Sequence, residues 1–167
     1  QQERFNTSVS YATASFIEHA STELSSIVFI MTNAPVEEIT LSMQAQYSSH
    51  DLFNTLYLIN SDGMIEMLVP ENQRYLGIDM SRQKYYHDVD CKTEANISDP
   101  FISHITGEPT VYISRCIDGG YLLTGELNLS SLQETTYVGQ SGLSQASIFI
   151  VDQKGKILAH PNFEHVK

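Results

Sequence analysis

Residues 77–86, GIDMSRQKYY, decide the fold because strand patterns flank them on both sides. Before this segment, residues 56–69 contain two apolar runs separated by Ser-Asp-Gly at 61–63, a hairpin signal with a glycine available for positive φ. After it, residues 105–117 and 121–129 form two more strand-like runs around a glycine-containing turn. The sequence therefore predicts two hairpins joined by a polar, aromatic connection that crosses from one pair of strands to the other. Residues 92–98, at the end of this connection, are predicted to be irregular.

Helical periodicity precedes the strands. From Phe5 to Met31 apolar residues recur at steps of three and four, and no Gly or Pro occurs before Pro35, so we predict one amphipathic helix of about 40 Å. The alternative is an ordinary core helix that breaks near the Ser and Thr at 21–22. A second helix is predicted from Pro35 to about Tyr47, because Pro suits a first helical turn and two acidic residues follow it.

The end of the chain repeats the first hairpin. Residues 148–161, IFIVDQKGKILAHP, have the pattern of residues 56–70, LYLINSDGMIEMLVP: an apolar strand, an Asn or Asp, a Gly three residues later, a second strand and a closing Pro. Before this repeat, Ser130 and Gln133 have capping-box spacing, which predicts a short helix to about Val138. The repeat predicts two lobes of the same kind.

Together these patterns predict a mixed α/β (α+β) fold, with a long N-terminal helix against a predominantly antiparallel sheet of about five strands. Three parts are expected: the long helix over residues 1–34, a first lobe over 35–138, and a linker with the first hairpin of a second lobe over 139–167. Only that first hairpin of the second lobe is expected within this sequence.

Composition and motifs exclude several classes of function. Nine basic against twenty acidic residues give a net charge of −11, which disfavours a nucleic-acid partner and an anionic membrane surface. No run approaches the roughly 20 apolar residues of a membrane span. The six His residues are scattered, and no nucleophile–base pair, metal-ligand spacing or phosphate loop occurs, so we predict no enzyme activity, metal or cofactor. Cys91 and Cys116 leave open two free thiols or one disulfide bond.

The clearest binding candidates are five consecutive residues in the connection. They supply a guanidinium, an amide, an ammonium and two phenols, a set that suits a small anionic or zwitterionic ligand: Arg82, Gln83, Lys84, Tyr85 and Tyr86. The alternative is that the two tyrosines anchor the connection by hydrophobic contact while the two cations lie in solvent.

Strand alternation adds further candidates. In residues 111–116, Tyr112, Ser114 and Cys116 share one face of the strand and the intervening residues share the other. One of these two faces must form the floor of a ligand pocket. Glu126 also lies inside a strand pattern. It either holds a ligand ammonium in the pocket or occupies an edge or solvent-facing position, which is the commoner place for an acid in a strand.

Over residues 62–132 the sequence resembles the membrane-distal lobe of the double Cache family, the extracytoplasmic sensor modules of bacterial and archaeal receptors. The matching segments occur in the same order and spacing: Asp62-Gly63, GIDMS at 77–81, Tyr85-Tyr86, Ser98-Asp99-Pro100, TGEP at 106–109 and GELNLSSL at 125–132. The resemblance implies two PAS-like lobes, with residues 35–138 as the membrane-distal one.

The resemblance also implies a function. It implies a periplasmic or extracellular small-molecule sensing domain, non-catalytic in itself, of a membrane receptor whose output is a histidine kinase, a diguanylate cyclase or a chemotaxis module. It implies contact with the membrane only through flanking helices absent from this sequence, and a weak parallel homodimer formed through the helix at residues 5–31. The alternative is a structural, dimer-forming ectodomain whose pocket is filled by its own side chains.

Amino-acid-sensing members of the family carry an Arg, one further residue and two aromatics, with an acid on a later strand that holds the ligand's ammonium. Aligning the two tyrosines with those aromatics places Gln83 at the Arg position and Glu126 at the acid. Gln83 can donate a hydrogen bond to a carboxylate but cannot neutralise it, so Arg82 or Lys84 would have to substitute. The ligand class therefore stays open between amino acid, carboxylate and amine.

Overall fold

A computed structural model describes residues 2–32, 35–49, 51–107, 109–132, 150–151 and 157–159. The described segments contain three named α-helices and nine β-strands; two helices come first, and the third lies between the second and third strands. In chain order they are α1 (Gln2–Met31), α2 (Val36–Ser49), β1 (Phe53–Ile59), β2 (Ile65–Val69), α3 (Lys84–His87), β3 (Asn96–Ile97), β4 (Phe101–Ile102), β5 (Pro109–Thr110), β6 (Tyr112–Ile117), β7 (Tyr121–Leu127), β8 (Ile150–Val151) and β9 (Ile157–Ala159).

The two predicted N-terminal helices are both present. Helix α1 runs unbroken past residues 21–22, so the alternative of a broken helix is wrong. The hydroxyls of Thr22 and Ser25 donate to the carbonyl oxygens four residues earlier, at 2.9 and 2.7 Å. These side chains therefore bond within the helix and do not interrupt it. Helix α2 ends at Ser49, close to the predicted end.

The predicted antiparallel sheet is confirmed. Five strands lie in the order β2-β1-β7-β6-β3, and every neighbouring pair is antiparallel. The β1–β2 turn uses Gly63 at φ +82°, where a Cβ would stand 2.7 Å from Cβ of Ser81. The amide of Met80 donates to the carbonyl oxygen of Gly63 at 2.7 Å, which ties the start of the connection to this hairpin.

Two predicted boundaries need correction. Residues 105–117 are not one strand: a turn occupies 104–106, and β6 begins only at Tyr112. Ser103 Oγ accepts the amides of Ile105 and Thr106, both at 3.0 Å, which makes a turn more favourable than extension. Residues 92–98, predicted to be irregular, contain the edge strand β3, which pairs Asn96 with Ser114.

The chain after β7 also differs from the prediction. A helical turn begins at residue 129, and the amide of Ser131 donates to Oδ1 of Asn128 at 3.1 Å. Asn128 is therefore the capping residue, because its side chain reaches the amide three residues on, and the predicted cap at Ser130 is wrong. Gln133, the rest of the predicted helix and the linker at 139–149 lie outside the described residues. Strands β8 and β9 pair antiparallel within the predicted second hairpin.

Helices α1 and α2 cover one face of the sheet with an apolar core. Helix α1 contributes a stripe of four buried side chains: Phe16, Ala20, Leu24 and Ile27. They pack with Leu56, Ile113 and Leu123 of the three central strands. We call this side of the sheet the helix face. Within the described segments, no helix combines the length and hydropathy of a membrane span.

Candidate ligand-binding site

The opposite side of the sheet, which we call the pocket face, carries polar side chains in two cross-strand rows. Strands β1, β7 and β6 lie side by side there, and alternate residues of each point to this face. The middle strand β7 contributes the central residue of each row. In the first row Glu126 pairs with Thr55 of β1 and Tyr112 of β6. In the second row Thr124 pairs with Tyr57 of β1 and Ser114 of β6. The predicted alternation holds, since Tyr112 and Ser114 are on this face and Ile113 packs on the helix face.

Glu126 is the centre of the first row and is fully buried, with 0% of its surface exposed. Ser103 Oγ lies 2.9 and 2.8 Å from its two carboxylate oxygens, and Tyr112 Oη donates to Oε1 at 3.0 Å. The solvent-facing alternative for this residue is therefore wrong. The only charged side chain of the described residues that lowers the pKa of Glu126 is His104, and an acid buried in a central strand is costly, so its presence requires a reason.

Burial controls the ionisation of this cluster. Loss of hydration raises the pKa of Glu126, and the nearby hydroxyls of Ser103, Thr55 and Tyr112 offset only part of that rise. Burial also raises the pKa of Tyr85 to about 12. Burial therefore disfavours the ionised form of Glu126, and a positive charge beside it would oppose that effect.

Three buried hydroxyls near Glu126, which we call the unused hydroxyls, make no well-formed hydrogen bond. Thr55 Oγ1, Tyr57 Oη and Tyr85 Oη lie close to Glu126, Tyr112 and one another, but none makes a hydrogen bond of normal geometry with the described residues. Tyr57 is 0% exposed, so water does not reach it from outside. Each such hydroxyl costs about 1–3 kcal/mol relative to a satisfied one. A carboxyl surrounded by unsatisfied oxygens is an arrangement that a polar ligand would complete.

An aromatic layer covers this cluster. The ring of Tyr112 packs against Tyr85 and Phe101, with centroid distances of 3.9 and 4.1 Å, and the rings of Tyr85 and Phe101 stack at 5.8 Å. Tyr57 meets the edge of Tyr112 at 5.7 Å. These rings separate Glu126 from the space above them.

That space is a cavity of about 440 Å³ between α3, β3, β4 and the sheet. Its charged lining consists of Lys84, Asp88 and Asp99, with His104 beside them. Lys84 forms an ion pair with Asp88 and lies 3.8 Å from Asp99. The fixed charges of this lining therefore sum to a negative value.

The structure separates the predicted site residues into three groups. Gln83, Lys84, Tyr85 and Ser114 line the cavity, and Tyr112 and Glu126 lie beneath the aromatic layer. Arg82 is exposed and Tyr86 is half-buried, and neither lines the cavity. These two positions match the alternative in which a tyrosine anchors the connection and a cation lies in solvent.

The sequence analysis did not predict four residues of the site: Thr55, Tyr57, Phe101 and Ser103. A signal existed for Thr55 and Tyr57, because they alternate with Leu56 and Leu58 in the first strand. No periodic signal marks the other two, which lie in a two-residue strand and the turn that follows it.

A disulfide bond connects the cavity wall to the sheet. Cys91 and Cys116 are joined, with their Cα atoms 5.4 Å apart. Cys91 follows the wall residue Val89, and Cys116 lies on β6 two residues after Ser114. The bond therefore restrains α3 relative to β6. No cluster of metal-binding side chains occurs in the described part of the chain.

Solved structures with the same architecture are ligand-binding domains of chemoreceptors. That of Pseudomonas fluorescens CtaA in complex with L-alanine superposes with a TM-score of 0.73 at 20% identity, over 99% of this chain and 72% of that one. This chain shares the fold of these Cache sensor domains. The sensory domain of Campylobacter jejuni Tlp3 with isoleucine bound gives 0.73 at 16% identity, over 100% and 71%. The Pseudomonas aeruginosa amino-acid chemoreceptor PctC in complex with GABA gives 0.74 at 21% identity, over 98% and 76%.

The shared fold confirms the predicted mixed α/β architecture with an N-terminal helix and a five-stranded antiparallel sheet. No protein-family model matches the sequence, and no curated protein matches it either. Identities of 16 to 21% establish a shared fold, and a shared fold does not by itself determine the ligand. The function of this chain must therefore be argued from its own site.

Proposed function

We propose that this chain is the extracytoplasmic sensing domain of a chemoreceptor and that it binds a small molecule through a positively charged nitrogen at Glu126. The observation that carries the proposal is the buried carboxyl of Glu126 with unused hydroxyls beside it. The chemoreceptor domains with this fold were solved with amino acids or GABA, all of which contain an amino group.

The chemistry of the cluster suits an ammonium group. Such a group has three hydrogen atoms to donate, and the carboxylate oxygens and the oxygens of Tyr57 and Thr55 can accept them. A cation beside Glu126 would lower the pKa that burial has raised, so ligand and carboxylate stabilise each other. The rings of Tyr85 and Phe101 would exclude water and offer their faces to the cation.

Ligand entry would also provide a signalling mechanism. The aromatic layer lies between the cavity and Glu126, so a ligand must displace Tyr85 or Phe101 and the segments that carry them. Strand β6 presents Ser114 to the cavity, while Arg115 bonds to Ser25 on α1. A shift of β6 would therefore reach α1 directly. The ligand drives such a shift only if it binds the two arrangements unequally.

A structural ectodomain is the second candidate function. The observation that favours it is that Ser103 and Tyr112 already bond to Glu126, and that Ser114 alone of Tyr112, Ser114 and Glu126 lines the cavity. In that case the cluster would be part of the core and no small molecule would stabilise it.

A thermal-shift screen with amines, amino acids and carboxylates separates the two functions. A ligand at 100 times its dissociation constant stabilises the folded chain by roughly 2.7 kcal/mol. We expect stabilisation by nitrogen cations in the wild type and in Glu66→Gln, an exposed charge-matched control, and none in Glu126→Gln. Melting temperatures that no compound changes would support the structural ectodomain.

The same proposal includes the assembly and location of the receptor: a weak parallel dimer through α1, outside the inner membrane and anchored by flanking helices. Phe16 is buried in the lobe and cannot serve as a dimer contact. Tyr11 and Phe29 are 77% and 73% exposed, and their spacing of five helical turns places them on one side of α1. Sedimentation at high concentration should show dimers of the wild type and fewer of a Tyr11→Glu, Phe29→Glu variant.

A further inference from the structure

We infer that this site selects amines that lack a carboxylate over the corresponding α-amino acids. The inference rests on the proposed function, because it specifies the chemical class of the cation that Glu126 binds. It follows from the charges of the described side chains that line the cavity above the aromatic layer.

The described lining of the cavity offers a ligand carboxylate no Lys or Arg without acidic neighbours, and the imidazole of His104 is the other group there that can carry a positive charge. Lys84 is its only Lys or Arg, and this ammonium already faces Asp88 and Asp99. Arg82 is exposed and lies outside the lining. A carboxylate entering here would meet a net negative lining with a buried acid beneath it, and like charges repel most strongly where water is excluded.

Gln83 is one of the uncharged polar residues of the cavity wall that could contact a carboxylate, together with Asn96, Ser98 and Ser114. Its amide can donate hydrogen bonds but supplies no positive charge, whereas a guanidinium donates two parallel bonds and neutralises the carboxylate. An α-amino acid would therefore gain little at Gln83 while losing the hydration of its carboxylate. An amine of the same side chain avoids that loss.

The unused hydroxyls are an independent observation that points to a ligand. Tyr57 is 0% exposed, its Oη has no described partner, and it lies close enough to Tyr85, Tyr112 and Glu126 to interact electrostatically with all three. Each hydroxyl can donate as well as accept a hydrogen bond, but the Glu126 carboxylate among them can only accept, so a ligand group that bonds to it must be a donor. An ammonium is such a group and a carboxylate is not.

Matched pairs of ligands that differ by one carboxylate test the inference. Calorimetric titration of the chain would compare agmatine with arginine, cadaverine with lysine, and phenethylamine with phenylalanine. We expect the amine of at least one pair to bind at least tenfold more tightly than its amino acid. If the amino acid binds equally or more tightly in every pair that binds, the inference is wrong and the proposed function stands. If no member of any pair binds, both are wrong.

Two variants test whether residue 83 or residue 82 determines the selectivity for amines over amino acids. Gln83→Arg supplies the missing guanidinium, so the ratio of amine to amino-acid affinity should fall at least tenfold, with an unchanged melting temperature showing that the fold is intact. Arg82→Gln should leave the ratio unchanged, because Arg82 lies outside the cavity. A fall in amino-acid affinity in Arg82→Gln would identify Arg82 as a carboxylate partner and overturn the inference.

Discussion

The two faces of the sheet are built from the same strands but use opposite chemistry. On the helix face, Ile113 and Leu123 pack with the stripe of α1 in an apolar core. On the pocket face, the residues adjacent to them in sequence include Tyr112 and Thr124, and Glu126 is buried there with unused hydroxyls around it. The helix face therefore stabilises the fold through hydrophobic burial, while the pocket face retains polar groups that lower stability and are available to a ligand.

The largest expected effect is on the helix face. Leu24→Ala removes a fully buried side chain from α1 and leaves a cavity, so the free energy of unfolding should fall by about 2–5 kcal/mol. Urea denaturation measures the loss. Leu41→Ala, at a position on α2 that is 63% exposed, is the control and should change it by less than about 0.5 kcal/mol. Equal effects of the two substitutions would contradict the assignment of the helix-face core.

Gly125→Ala tests how tightly the helix face is packed. A Cβ at this position of β7 would stand 2.6 Å from two atoms of the Phe53 ring, so the free energy of unfolding should fall by about 1–3 kcal/mol. The companion variant Phe53→Leu, Gly125→Ala removes the close contact and should recover part of the loss in the same denaturation measurement. A Gly125→Ala protein as stable as the wild type would show that the face is loosely packed.

Glu126→Gln should raise the stability of the ligand-free protein, whereas the two substitutions on the helix face should lower it. Because burial raises the pKa of Glu126, the fold favours the protonated form, and the corresponding stability is complete below the unfolded value of about 4.3. That stability is lost as pH rises through the higher pKa of the folded state. Gln does not ionise, so the ligand-free variant should melt above the wild type at neutral pH, and the difference should shrink towards pH 4.

Melting curves between pH 4 and pH 8 measure this difference, with Glu66→Gln on β2 as the control for the loss of one exposed negative charge. A Glu126→Gln variant less stable than the wild type at neutral pH would show that the ionised carboxyl stabilises the fold, contrary to the comparison of the two faces.

The smallest change in stability is expected for Tyr57→Phe. The ring and its contacts stay, and a buried hydroxyl without a described partner is removed, so the ligand-free protein should keep its stability or gain about 1 kcal/mol. Affinity for the best-binding amine should nevertheless fall. Titration calorimetry and thermal melting together check both parts. A loss of stability with unchanged affinity would make Tyr57 a structural residue.

The helix face could be predicted from the sequence because its pattern is periodic and local. Steps of three and four in α1 and alternation in β6 depend on the geometry of single elements, and both were predicted. The pocket face depends on register between strands far apart in sequence, which placed Thr55 and Tyr112 on either side of Glu126. Ser103 contributes from a turn without periodicity, so no pattern could assign it to the site.

The pKa of Glu126 with and without a bound amine tests the central claim most directly. Carboxyl-carbon NMR of selectively labelled glutamate, assigned with Glu126→Gln, would follow its titration in the free chain and in the chain saturated with the tightest amine of the matched pairs. The account predicts a pKa above the ordinary value of about 4.3 in the free chain and a clear fall when the amine is bound. A titration that the bound amine leaves unchanged would contradict the claim that the cation binds at Glu126.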